Sequence, residues 1–187
     1  MFSLNNSNLL RSGFELGKGE KLFQDIERDI IKVVFWEKCV TQSHIVSATR
    51  IPQQTVSRLL KSLTQHGVIV QSDTLIPNKK GKPGFGIALN PDYGFTFGLA
   101  ILLDAISIAV MDFTGKVVYT HMQLMPDMSI NNVLKCAQKL VEEISAERDI
   151  PSEKVLGMGV GISGFFSSMD GKMNTHHMLE EWSQVDI

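Results

Sequence analysis

A chain of 187 residues, 43% hydrophobic and 20% charged, has the balance of a globular protein in water and length for one sizeable domain or two small ones. Its longest apolar run, Phe95 to Leu103, is too short to cross a bilayer, the N-terminus lacks the basic-then-apolar layout of a signal peptide, and the two cysteines, Cys39 and Cys136, stand far apart outside any metal-ligand spacing. The expectation is a reduced, cytoplasmic protein with no membrane contact, no cofactor and no metal.

The net charge of −2 conceals a division, because between Thr41 and Asn90 six basic residues stand against one acidic residue, Asp73, whereas the rest of the chain carries 12 basic and 19 acidic residues. That pattern suits a localised site for a polyanion on an otherwise acidic protein. Residues 1–19 are polar, rich in Asn, Ser and Gly and without periodicity, and are expected to form a flexible lead. From about Glu20 to Cys39, the positions Leu22, Ile26, Ile30, Val33 and Val34 keep helical spacing and predict the first helix of a three-helix core. Thr41 can cap a short helix through Thr49, with Ile45 and Ala48 turned inward, and Arg50-Ile51 closes the pair.

A third helix is predicted from about Pro52 to His66. Val56, Leu59, Leu60 and Leu63 recur at i, i+3, i+4 and i+7 and must face a core. Pro52 supplies a fixed φ where an N–H has no helical partner, and Gly67 is a natural stop. The opposite face carries Gln53, Gln54, Ser57, Arg58 and Lys61 without a carboxylate, a set able to read base edges and phosphates. The same pattern would also serve a two-helix corner with a solvated polar face; the charge division and the next segment favour DNA.

That segment is a predicted hairpin. Val68-Ile69-Val70 and Gly86-Ile87-Ala88-Leu89 are short β-prone runs joined by a loop containing Asn78-Lys79-Lys80-Gly81-Lys82-Pro83-Gly84. Lys79, Lys80 and Lys82, with glycines that let the backbone approach a surface, suit a phosphate backbone or a minor groove. Asn90-Pro91-Asp92 then marks a boundary. Phe95 to Leu103, Ile106 to Asp112 and Val117 to Gln123 are predicted strands with links short enough to impose an antiparallel meander. A helix from about Ile130 to Arg148 follows, burying Val133, Leu134, Ala137, Leu140, Val141 and Ile144, and then a fourth strand, Val155 to Ile162. Beyond it a turn is expected at Asp170-Gly171. The predicted fold class is α+β: a winged helix-turn-helix over 20–90, then a partial ribonuclease-H-like, actin-like βββαβ lobe over 91–187.

In this order the parts resemble the ROK family (repressors, open reading frames and sugar kinases), in its transcriptional-regulator branch. The residues that carry the resemblance are Thr41-Gln42-Ser43-His44-Ile45-Val46 and Gln54-Thr55-Val56-Ser57-Arg58-Leu59, then Lys80-Gly81-Lys82-Pro83-Gly84, which looks like an Arg-Gly-Arg-Pro element with lysines. Asp112-Phe113-Thr114-Gly115-Lys116-Val117-Val118 looks like the family's first hairpin, Gly157-Met158-Gly159-Val160-Gly161-Ile162-Ser163-Gly164 like its glycine-rich strand, and Trp182 falls near a tryptophan of the sugar-site region. Arg50 stands where such units usually have a turn glycine and Pro52 where they have a capping serine. The kinases' Asp-x-Gly-Gly-Thr phosphate loop is matched here by Ala100-Ile101-Leu102-Leu103-Asp104, without glycine or hydroxyl, so ATP binding is not expected. His176 and His177 are adjacent, a poor arrangement for one ion. The family's catalytic Asn-Asp, sugar-contacting Glu-x-Gly-His and cysteine-rich zinc elements would lie beyond Ile187.

The resemblance implies a non-enzymatic, sequence-specific DNA-binding transcriptional regulator, a repressor of carbohydrate-metabolism genes that responds to a sugar or sugar phosphate and binds its double-stranded operator as a homodimer or higher oligomer. Its DNA-facing residues would be Gln53, Gln54, Thr55, Ser57, Arg58 and Lys61, with Lys79, Lys80 and Lys82. The alternatives are a truncated sugar-kinase-like protein and an interaction module that modulates a full-length regulator.

Overall fold

Residues 23–76, 84–166, 173–175 and 177–184 are described by a computed structural model. The expected flexible lead, the three loop lysines, the Asp170-Gly171 turn and His176 lie outside the described residues. The chain divides into two compact units.

The first unit holds, of the described residues, 23–76, 84–93 and the turn Asp112–Lys116. Its helices are α1 (Asp25–Glu37), α2 (Gln42–Thr49) and α3 (Gln53–Gln65), followed by strands β1 (Ile69–Ile76) and β2 (Gly84–Leu89). A reciprocal cap starts α1: the Gln24 side chain and the Glu27 carboxylate satisfy backbone N–H groups of the first turn, the Gln24 N–H donating to Glu27 Oε2 at 3.0 Å. Thr41 caps α2, its Oγ1 accepting from the His44 N–H at 3.2 Å. Arg50 ends α2 in the left-handed region at φ 58°, its N–H donating to the Val46 carbonyl at 2.9 Å. An arginine thus performs the sharp reversal that glycine performs without a Cβ penalty.

Ala48 does not turn inward; it is exposed. The inner side of α2 runs through fully buried Ile45, half-buried Val46 and half-buried Thr49, whose hydroxyl donates to the Ile45 carbonyl at 2.7 Å, leaving Ala48 on the far flank. On α3 all of Val56, Leu59, Leu60 and Leu63 are buried, and together with Ile30, Val34, Ile45, Val68, Ile69 and Leu89 they make one core. Gly67, at φ 71°, turns the chain out of α3 into β1.

β1 and β2 pair antiparallel from Ile69 opposite Leu89 to Ile76 opposite Gly84, with a bulge between Ser72 and Leu75. The pairing is longer than the apolar run Val68-Ile69-Val70 suggests, because backbone hydrogen bonds carry the strand on through polar Gln71 to Thr74. Val40, between α1 and α2, adds a bridge that the sequence does not signal: its N–H and carbonyl exchange hydrogen bonds with Ile87 at 3.0 and 2.7 Å. In the turn Asp112–Lys116, Asp112 Oδ1 accepts from the Thr114 N–H, the Thr114 hydroxyl and the Lys116 N–H at 2.9, 2.7 and 3.1 Å. The Phe113 ring packs on Tyr93 at 4.7 Å between centroids, and burial pushes the Tyr93 phenol above its usual pKa.

The second unit contains β3 (Phe95–Ile101), β4 (Ala105–Asp112), β5 (Val117–Leu124), α4 (Ile130–Glu147) and β6 (Val155–Ile162), in a sheet of order β5-β4-β3-β6. β4 and β5 pair antiparallel and β6 runs parallel to β3, as a crossover through α4 requires. Phe97, Leu99, Ile101, Ile106, Ile108 and Val110 alternate along β3 and β4 into a core shared with Val133, Ala137 and Ile144 of α4. Leu134, expected on the buried face, is 45% exposed, and Leu140 and Val141 are only partly buried, since the covered stripe is narrower than the apolar one. On the sheet's other face Gly157, Gly159 and Gly161 of β6 register with Thr96, Gly98 and Ala100 of β3. A short hairpin, β7 (Gly164–Phe166) with β8 (Met173–Thr175), precedes a 3₁₀ stretch, His177–Gln184. Trp182 belongs to the core: it is 7% exposed and its indole N–H donates to the Met128 carbonyl at 2.9 Å.

Replacing Arg50 by glycine should raise stability by about 0.5–1 kcal/mol, the left-handed penalty relieved less the extra chain entropy lost. Urea unfolding would show it as a higher midpoint; a lower midpoint would mean that the arginine side chain stabilises the turn.

Candidate nucleic-acid interface

Because the buried residues of α3 fall on one side, its polar residues are forced to the other. At 100° per residue Gln53, Ser57, Lys61, Gln54 and Arg58 occupy an arc of about 140° that does not overlap the buried stripe, and all five are exposed. Thr55 lies at the margin of this arc and is half-buried. Lys79, Lys80 and Lys82 fall outside the described residues. Of the sequence-predicted set, the structure therefore brings five side chains onto one open helix face, with a sixth at its edge.

The face is electrostatically simple. It presents two cations, Arg58 and Lys61, no carboxylate occurs anywhere on α3, and among the described residues neither cation is in an ion pair. Both are open to solvent and available for an incoming anion. The amides of Gln53 and Gln54 and the hydroxyl of Ser57 offer donors and acceptors together, as base edges require.

Beside this face lies a cleft of about 630 Å³ between the start of α2, the flank of α3 and the β1–β2 hairpin. Its floor is apolar, with Val46, Leu60, Ile69 and Ile87, and its rim is polar, with Thr41, Gln42, Ser43, Gln53, Lys61, Thr64 and Gln71. The hydroxyls of Thr41 and Ser43 are 2.9 Å apart at the N-terminus of α2. Phe85 of β2 borders the cleft and is 61% exposed. Neither the α2 start nor Phe85 is among the DNA-facing residues expected from sequence. The signal available for Phe85 was an aromatic held between Gly84 and Gly86, and for Thr41 and Ser43 it was masked by the capping role of Thr41.

No family model matches the chain. It is 23% identical over 161 residues to the xylose repressor of Caldicellulosiruptor bescii, covering 84% of this chain and 39% of that protein. It is 23% identical over 150 residues to an uncharacterised Sinorhizobium fredii protein, y4fQ, covering 80% of this chain and 38% of that one. A crystal structure of a ROK family transcriptional regulator, a homologue of the E. coli MLC protein, superposes with a TM-score of 0.55 at 13% identity, over 79% of this chain and 37% of that one. The chain thus spans less than two fifths of the length of each of these proteins.

The separation of faces makes a testable contrast. Alanine at Arg58 or at Lys61 should leave unfolding free energy within about 0.5 kcal/mol of the parent, while Leu60→Ala should cost about 2–5 kcal/mol. Chemical denaturation of the three variants measures both; a destabilisation at Arg58 comparable to that at Leu60 would place the arginine in the packing.

Proposed function

We propose, of a chain that resembles ROK family transcriptional regulators in sequence and in fold, that it is itself a DNA-binding regulator whose first unit works as a winged helix-turn-helix. The observation that carries this reading is the carboxylate-free polar arc on α3, opposite its buried stripe and within the basic stretch of the chain. A helix of this kind fits the major groove, with Gln53, Gln54 and Ser57 against base edges, Arg58 and Lys61 against bases or phosphates, and Thr55 at the edge of the contact. The loop lysines Lys79, Lys80 and Lys82 then follow the phosphate backbone or enter the adjacent minor groove.

Two copies would place their α3 helices in successive major grooves of a pseudo-palindromic operator, held as a homodimer by the region beyond Asn90. From the name of the xylose repressor we carry over the proposal that this chain represses genes of carbohydrate use and answers a sugar or sugar phosphate. A cytoplasmic setting follows from that role, and no described helix is long and apolar enough to cross a membrane.

Phosphoryl transfer is the less favoured reading. The link between β3 and β4 that would have to cradle a phosphate is a tight turn in which the Leu102 N–H already donates to the Ala105 carbonyl at 2.9 Å, and the Asp104 carbonyl is taken by the Met125 N–H at 2.8 Å. It contains no glycine and no hydroxyl. We therefore assign the chain no enzymatic activity.

The experiment is a gel-shift titration on duplex DNA selected by this chain from a random pool, repeated across salt concentrations. Alanine at both Arg58 and Lys61 should weaken binding by about 1–3 kcal/mol for each hydrogen-bonded pairing with a base that the substitutions remove and flatten the salt dependence. Unchanged affinity and an unchanged salt slope would remove this face of α3 from the interface.

A further inference from the structure

We propose that α1 is a self-association surface, through which two copies of this chain pack antiparallel about a two-fold axis. The inner side of α1 holds Ile30 and Val34 at 0% exposure, and the side turned away from them carries Asp25, Asp29, Lys32 and Trp36, at helical spacing along one stripe. Trp36 is 77% exposed, and Ile26, flanking the stripe, is 47% exposed. Phe35 meets the indole edge-on, centroids 5.3 Å apart, and covers little of it. An aromatic of this size removes roughly 150–250 Å² from water when covered, and tryptophan is enriched where protein interfaces concentrate their binding energy.

The charges select the occupant. Along the exposed stripe the carboxylates of Asp25 and Asp29 precede the ammonium group of Lys32. An antiparallel pair whose axis passes near residues 30 and 31 brings Asp29 of each copy to Lys32 of the other. The same register lays each Trp36 across the first turn of the opposing helix, over Ile26, with its indole N–H toward the Asp25 carboxylate. Each contact occurs twice, as an isologous interface demands, and the two helix dipoles oppose head to tail. A parallel arrangement would set Asp29 against Asp29, and the acidic first turns disfavour DNA as the occupant. Among the described residues Lys32 pairs with Asp29 at 3.4 Å and Arg28 with Asp25 at 3.7 Å, both exposed; such pairs contribute little and can be extended by a second copy without being broken.

The inference is independent of operator binding, and its test contains no DNA. Sedimentation of the full chain over a range of concentrations would be paired with iodide quenching of tryptophan fluorescence; Trp182 is 7% exposed, so the quenchable signal is that of Trp36. With rising concentration the mass should move to that of the next higher oligomer, beyond any pairing through the region past Asn90, while quenching falls. Trp36→Ala should weaken association roughly tenfold or more, and Lys32→Asp should weaken it by a smaller factor that the double variant Asp29→Lys, Lys32→Asp restores. Circular dichroism identical to the parent would show that these exposed substitutions leave the fold intact. Trp36 quenchable at every concentration would overturn the proposal, as would a distribution of oligomers that Trp36→Ala leaves unchanged. A monomer with Trp36 shielded at every dilution would also overturn it, assigning the face to the chain's own residues.

Discussion

Val56, Leu59, Leu60 and Leu63 must leave water together, because they lie on one stripe of a helix of 13 residues that would be marginal by itself. Each is worth about 1.5–3 kcal/mol when fully buried, and among the described residues they are received by α1, α2 and the β1–β2 hairpin. Burial of this stripe therefore fixes the roll of α3 about its own axis. Once the roll is fixed, the direction of Gln53, Gln54, Ser57, Arg58 and Lys61 is fixed as well. The candidate interface is in this sense a by-product of the core: the side chains proposed to meet DNA are oriented by residues that would never touch it.

The joints around α3 serve the same end. Thr41 starts α2, Arg50 reverses the chain in a conformation costly for any residue with a Cβ, and Gly67 releases it into β1. Asn90 reinforces the exit, its side-chain amide donating to the Gly67 carbonyl at 2.8 Å while its side-chain oxygen accepts from the Asp92 N–H at 3.1 Å. The Val40–Ile87 bridge ties the segment before α2 to β2, so the helices and the hairpin share one hydrogen-bonded frame as well as one core. The cleft between α2, α3 and the hairpin is bounded by these tied elements, which gives its rim of Thr41, Gln42, Ser43 and Lys61 a defined geometry.

Elements with a strong period were legible from residues alone. The stripe of α3, the alternation along β3 and β4, and the bounds of β6 follow from spacings of 3.6 and 2 that one side of a helix or sheet imposes. Ala48 and Leu134 were misplaced because an apolar residue on the flank of a stripe is buried only if a neighbour happens to reach it, and none does. The length of β1 was underestimated because a strand held by backbone pairing needs no apolar side chain to continue. Trp182, which the family resemblance put near a sugar site, packs as core, its N–H satisfied by the Met128 carbonyl. Of the candidate site, the face of α3 was legible because it is the complement of a periodic pattern. The contributions of Phe85 and the start of α2 were not, because they depend on which loops and strands meet across the cleft.

The sequence by itself determined the order and type of the elements from α1 to β6, though not the β7–β8 hairpin or the 3₁₀ stretch after it, the concentration of positive charge between Thr41 and Asn90, and the polar composition of one side of α3, since all of these are local or periodic properties of the chain. Tertiary structure alone decided which residues at the edges of those patterns are covered, how Arg50 turns the chain, where the cleft opens and which apolar side chains, Trp36 above all, are left facing water. Those are outcomes of packing between segments distant in sequence, where the burial of one side chain depends on the shape of another, and no local pattern encodes that.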